Sequence, residues 1–144
     1  MVNEFAELTI PTNGPGLTEF TDRVAAFLRG TGMRRGLLTV YVRHTSASLL
    51  IQENADPDVQ TDLQGFFERI APTLRDPSMD WIIHRTEGPD DMPAHIRAVL
   101  TATTLSIPVE GSRMVLGTWQ GIFLFEHRER PHQRRIALHA MGQS

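Results

Sequence analysis

A chain of 144 residues with 40% hydrophobic residues is long enough for one self-supporting core. With no cysteine in it, a disulfide scaffold, a thiolate zinc site, an iron–sulfur cluster and a cysteine nucleophile are excluded. Fourteen basic against seventeen acidic side chains give a net charge of −3, without the basic excess of a nucleic-acid binder. No apolar stretch reaches the ~20 residues a bilayer-spanning helix needs. The N-terminus alternates acidic and apolar residues and does not read as a secretory leader. The expectation is therefore one soluble, cytoplasmic domain over residues 1–144, with no nucleic-acid and no membrane partner.

Phe5, Leu8 and Ile10 form an opening strand-like run that ends at Pro11, and Asn13-Gly14-Pro15-Gly16 is a turn cluster. Thr18 is placed to cap a helix in which Phe20, Val24, Phe27 and Leu28 recur at helical spacing, closed by Gly30 and Gly32. The β-branched and aromatic run Gly36–Val42 and the run Ser48–Ile51 read as strands, interrupted by the polar Arg43-His44-Thr45-Ser46-Ala47. Asp56 followed by Pro57 is a strong helix entry. Val59, Leu63, Phe66, Phe67 and Ile70 then form one apolar stripe, expected to face the core. A third helix is expected from about Asp90–Pro93, carrying Ile96, Val99, Leu100 and Thr103 inward. Strand-like runs follow at Leu105–Val109, Arg113–Leu116, Gly121–Phe125 and Arg135–Ala140, with Glu110-Gly111-Ser112 as a turn. Strands, then helices, then strands predict an α+β domain: a largely antiparallel or mixed sheet packed with about three helices.

Of the six histidines, three stand at element ends beside groups that could share chemistry with them. His44 ends a strand beside Thr45, Ser46 and Ser48. His84 closes the run Trp81-Ile82-Ile83. His95 lies four residues after Asp91, on the same side of a helix. Any one of them alone reads first as a hydrogen-bonded packing histidine. Three neutral imidazoles together would form a ligand set with an open position, as in catalytic zinc sites. Asp91 or Glu53 would tilt such a set toward harder ions such as Mg²⁺. Glu87-Gly88-Pro89-Asp90-Asp91-Met92-Pro93-Ala94-His95 reads as a turn and cap, or as a helix start where acidic residues hold a metal against a phosphate. Gly117-Thr118-Trp119-Gln120-Gly121 reads as a tight turn with a buried tryptophan, or as a ring laid against a ligand. The arginine-rich segment Arg128–Arg135 is expected to be a solvated hairpin, with His127, His132 and His139 structural.

The blocks His44-Thr45-Ser46-Ala47-Ser48, Glu53–Leu63, His84–Ile96 and Gly117–Ile122 occur in an order and spacing that resembles the YjbQ-like family. Members of that family are described as secondary thiamine-phosphate synthases. The resemblance spans about Gly16 to Ile136, and it departs from the family pattern at His139 and at Phe125, where a cysteine is frequent. It implies a compact α+β domain assembled as a homotrimer, with a histidine cluster in a cleft. It implies weak transfer of a pyrimidine-methyl group from its diphosphate to a thiazole phosphate, so a small phosphorylated substrate and a divalent metal, Mg or Zn. By position it implies His44, His84 and His95 as metal ligands and Asp91, Glu53 and Arg85 as catalytic groups. Thr45, Ser46, Arg97, Trp119 and Gln120 would then contact substrate. A metal- or phosphate-binding trimer without that activity and a metal-dependent phosphohydrolase are the alternatives.

Overall fold

The computed structural model describes all 144 residues. Eight strands and three helices form two antiparallel sheets. Strands β1 (Val2–Asn13), β3 (Arg35–Val42), β5 (Thr104–Glu110), β6 (Arg113–Met114) and β8 (Pro131–Gln143) make a five-stranded sheet in the order β1-β8-β3-β5-β6. Strands β2 (Gly16–Glu19), β4 (Ala47–Glu53) and β7 (Gln120–Glu126) make a three-stranded sheet in the order β2-β7-β4. The α+β expectation with three helices and antiparallel sheets is met. No helix is long and apolar enough to cross a membrane.

Strict alternation builds the core. Along β8, Arg134, Ile136, Leu138 and Ala140 point inward while Arg135 and Met141 point out. On β3, Leu38, Val40 and Val42 are buried, and these residues pack with Ile122 and Leu124 of β7 and with helix α1 (Thr21–Thr31). The central strand β7 is buried on both faces, because α2 (Pro57–Ile70) covers its second face. There Phe67 meets Phe125 edge-on at 5.2 Å.

Several expected boundaries move. The first strand runs through Pro11 to Asn13, which is tolerated because β1 is an edge strand bonded only to β8. Thr18 belongs to β2 and caps nothing; α1 starts at Thr21 with Phe20 at its N-cap. Gly32, at φ 69°, ends that helix in the left-handed conformation. Asp56 does cap α2, accepting from the Asp58 N–H at 2.9 Å. The α2 stripe, however, is only partly core: Phe67 is buried, while Phe66 and Ile70 are exposed. Helix α3 (Asp91–Val99) is rotated from the expected orientation. It buries Asp91, Pro93, Ala94 and Arg97 and leaves Val99, Leu100 and Thr103 exposed. Polar partners on the neighbouring elements reward that rotation, and periodicity of apolar residues cannot report them.

Candidate metal centre at the start of helix α3

Asp90 stands at the N-cap of α3 and Asp91 begins the helix, and Arg128 bridges their carboxylates. Asp91, 4% exposed, presents Oδ2 to two imidazoles: His84 Nε2 at 3.0 Å and His95 Nε2 at 3.1 Å. Its other oxygen, Oδ1, accepts from Arg128 Nη1 at 2.7 Å. The same guanidinium donates through Nε to Asp90 Oδ2 at 2.9 Å, which also takes the Glu129 N–H at 2.8 Å. Burial alone would raise the Asp90 carboxyl, but the Glu129 amide and Arg128 outweigh it and hold it below its ordinary value.

The tautomer of His95 follows from its second contact. Nδ1 lies 2.8 Å from the Thr45 carbonyl oxygen, which can only accept, so Nδ1 carries the proton. In the neutral ring, Nε2 then turns a lone pair toward a carboxylate oxygen 3.1 Å away. Two lone pairs face each other unless a cation stands between them. A proton on Nε2 or a metal ion meets that demand, and a carbonyl-anchored imidazole is the usual orienting arrangement for a metal ligand. The ligand atoms of His84, Asp91 and His95 lie within 4.8 Å of one another, so this group could hold a metal ion. Two imidazoles and one carboxylate suit zinc or another borderline divalent ion better than an all-oxygen Mg²⁺ shell.

Of the remaining expected site residues, His44 and Thr45 lie beside the cluster and most of the others are committed to contacts of their own. His44 Nε2 accepts from the Arg135 N–H at 2.8 Å, so that nitrogen is committed. Burial and then Arg134 push its pKa down. His44 shares with His95 and the exposed Thr45 a cleft of about 510 Å³ beside the cluster. Ser46 is buried, and its hydroxyl accepts from Arg134 Nη2 at 2.9 Å. Arg85 is spent on the carbonyls of Ile82 and Met79, at 2.8 and 3.2 Å. Arg97 holds the Ala71 carbonyl at the end of α2. Glu53 caps the turn into α2 through the N–H groups of Ala55 and Asp56. Gln120 accepts from the Gly117 N–H of its own loop at 2.7 Å. Trp119 is 61% exposed rather than buried. Glu53 pairs with Gln120 at one end of the β4–β7 ladder, whereas Ala47 pairs with Glu126 near the cluster at the other. Six residues of strand put these ends ~20 Å apart within one chain.

Two features escaped the sequence reading. Arg128, expected in a solvated hairpin, clamps both carboxylates of the α3 entry. Arg134, 3% exposed, pairs with Glu126, 1% exposed, through Nε–Oε1 at 2.8 Å and Nη2–Oε2 at 2.5 Å. Glu126 also receives the Thr12 hydroxyl and the N–H groups of His127 and Arg128. Burial would raise its carboxyl, yet the Arg134 and Thr12 hydrogen bonds hold it below its ordinary value. The parity of β8, with Arg134 two residues before Ile136 on the inner face, was the available signal.

Comparison with known proteins agrees with this architecture. A family model described as "UPF0047 protein YjbQ-like" matches residues 6–143. The Synechocystis "UPF0047 protein sll1880" is 53% identical over 136 residues, covering 94% of this chain and 90% of its own. The "UPF0047 protein YjbQ" of Escherichia coli O157:H7 is 39% identical over 137 residues, covering 94% and 96%. Among solved structures, the hypothetical protein APE1520 from Aeropyrum pernix K1 superposes with a TM-score of 0.87 at 28% identity, covering 97% of this chain and 99% of that one. A conserved hypothetical protein from Thermus thermophilus gives 0.80 at 33% identity, covering 94% and 99%.

Proposed function

The chain belongs to the YjbQ-like UPF0047 family, and from that premise we propose that it is a low-efficiency thiamine-phosphate synthase working at the His84–Asp91–His95 centre. The thiazole nitrogen attacks the methylene carbon of a pyrimidine-methyl diphosphate, the carbon–oxygen bond to diphosphate breaks, and diphosphate leaves with the electron pair. The observation that carries the metal requirement is the pair of imidazole nitrogens meeting one oxygen of Asp91 at 3.0 and 3.1 Å. A divalent ion held by these three residues would take up charge developing on the diphosphate.

The chain's own groups do the rest. The Thr45 carbonyl fixes the His95 ring. Arg128 holds Asp91 from behind, so that Oδ2 stays turned toward both rings. His44, its pKa lowered by burial, offers a neutral lining to the adjoining cleft. The attacking nitrogen needs no general base, so neither histidine has to shuttle a proton.

A homotrimer belongs to this reading. It is supported by the outer face of the five-stranded sheet, which leaves Phe5, Leu37, Tyr41 and Met141 exposed. Assembly is also the arrangement in which Glu53, Trp119 and Gln120 of one subunit can serve the centre of another. A second reading, a metal-binding protein without transferase activity, is favoured by the internal commitments of Arg85 and Arg97.

The test is metal analysis and turnover in the same preparations of wild type, His95→Ala, Asp91→Asn and His44→Ala. A stoichiometric divalent ion, lost in the first two variants and kept in the third, is expected. Thiamine phosphate formation should fall with the metal. Metal without turnover would leave the binding protein. Diphosphate or phosphate release with no thiazole present would make it a phosphohydrolase. No metal at all would assign the cluster to a protonated imidazole and sink the reading.

A further inference from the structure

A second polar cleft, of about 570 Å³, opens between α2 and α3 and is separate from the three metal-centre residues. Asp90, Pro93 and Arg97 recur on one face of α3 and line it, while Asp91 and His95 occupy the neighbouring face. Its size falls within the range of small-molecule sites and far exceeds that of a single water. What marks it is the number of buried polar groups left without partners.

Arg97 is 5% exposed, and its guanidinium donates through Nε and Nη2 to the Ala71 carbonyl, with no carboxylate bonded to it. Burial pushes its pKa down, with Glu68 opposing. His127 is 2% exposed; Nε2 meets Ser48 Oγ at 2.9 Å, and Nδ1 has no partner. Burial, then the charge of Arg97, pushes this imidazole down to about 3, so the ring is neutral; with the Ser48 hydroxyl donating to Nε2, Nδ1 carries the proton and is free to donate to a ligand. Gln64 donates through Nε2 to Glu68 at 3.2 Å, which fixes its amide and leaves Oε1 buried and unpartnered.

The other charges of the cleft are already matched. Asp90 pairs with Arg128 at 2.9 Å, and Glu129 pairs with Arg75 at 3.0 Å. Arg97 remains on the buried side and Glu68 on the exposed side. A cation and an imidazole nitrogen thus face a carbonyl oxygen and a carboxylate across one cavity. Buried polar groups in native proteins are otherwise nearly always satisfied.

We propose that this cleft binds a small zwitterion of the α-amino acid class, its carboxylate on Arg97 and His127 and its ammonium between Gln64 Oε1 and Glu68. A simple anion would satisfy Arg97 but leave the Gln64 acceptor orphaned and place a second negative charge near Glu68. A simple cation would do the reverse. A molecule carrying both an oxyanion and a donor meets all four groups at once.

The experiment titrates the protein with the proteinogenic amino acids, with acetate and with inorganic phosphate at millimolar concentration. The readouts are the melting temperature and the ring-nitrogen NMR resonances of His127. At least one amino acid should raise the melting temperature saturably and move those resonances. Glu68→Gln, an exposed change that leaves the fold intact, should weaken that binding about tenfold or more. His95→Ala should leave it unchanged, which separates this cleft from the metal centre. Binding of acetate or phosphate as tight as that of any amino acid, indifferent to Glu68→Gln, would overturn the zwitterion. Silence of the His127 resonances toward the whole panel would overturn the site.

Discussion

Acid should destabilise this protein through His127 before any carboxylate responds. Its folded pKa is pushed from 6.5 to about 3, chiefly by burial. Between those values the unfolded chain holds a proton on this ring and the folded chain does not, so stability rises with pH across the window and is lost as pH falls through it. Each pH unit below 6.5 removes about 1.36 kcal/mol, which comes to ~2.7 kcal/mol near pH 4.5. For a domain of this length that is a fall of roughly 5–11 °C in melting temperature. Glu126 leaves the upper part of the window, from pH 6.5 to 4.5, to His127: its carboxyl is held below its ordinary value of 4.5, so its contribution is lost from about pH 4.5 downward. His44 is shifted in the same direction as His127, and comparison with His127→Gln cancels it. Urea midpoints should be followed by far-ultraviolet circular dichroism, because Trp81 and Trp119 are both exposed and report little of the core. The variant should be less stable at neutral pH, since the ring packs on Phe125 at 4.4 Å, yet flatter between pH 6.5 and 4.5. Parallel wild-type and variant curves across that interval would refute the buried neutral imidazole.

Glu126→Gln leaves the Arg134 guanidinium buried without its counter-charge and should cost about 3–5 kcal/mol in a urea denaturation series; Glu126→Leu with Arg134→Met should cost clearly less, and an equal loss in both would refute the unpaired buried charge as the cause. Gly142→Ala drives a Cβ into the Arg35 carbonyl oxygen and to 2.8 Å from Met33 Sδ. Since β3 and β8 cannot separate there without breaking their ladder, its melting temperature should drop by more than that of Gly65→Ala, where a Cβ meets nothing within 4 Å.

Most strands and two helix ends were legible because local chemistry decides them, whereas β2 and the start of α1 were not. Asp56-Pro57 announced α2 through its cap, Gly32 ended α1, and β-branched, aromatic and apolar runs marked β3, β7 and β8. The pairing of Asp91 with His95 was also legible, since helical geometry alone places residues four apart on one side. His84 could be suspected but not placed, because it arrives on a loop whose course depends on Arg85 holding the Ile82 and Met79 carbonyls.

What the tertiary structure alone decided is which polar groups are buried together. Apolar periodicity turned α3 the wrong way. The helix gains more by giving Asp91 to His84 and Arg128, and Arg97 to Ala71, than by burying Val99 and Leu100. Those partners lie up to 37 residues away in the chain, and no spacing rule encodes them. Glu53, Trp119 and Gln120 were expected at the site, and the β4–β7 register puts Glu53 and Gln120 at the far end of the ladder. The amino-acid order determined most of the elements and the pairing of Asp91 with His95. Long-range hydrogen bonding, which satisfies buried charge only in three dimensions, determined the site.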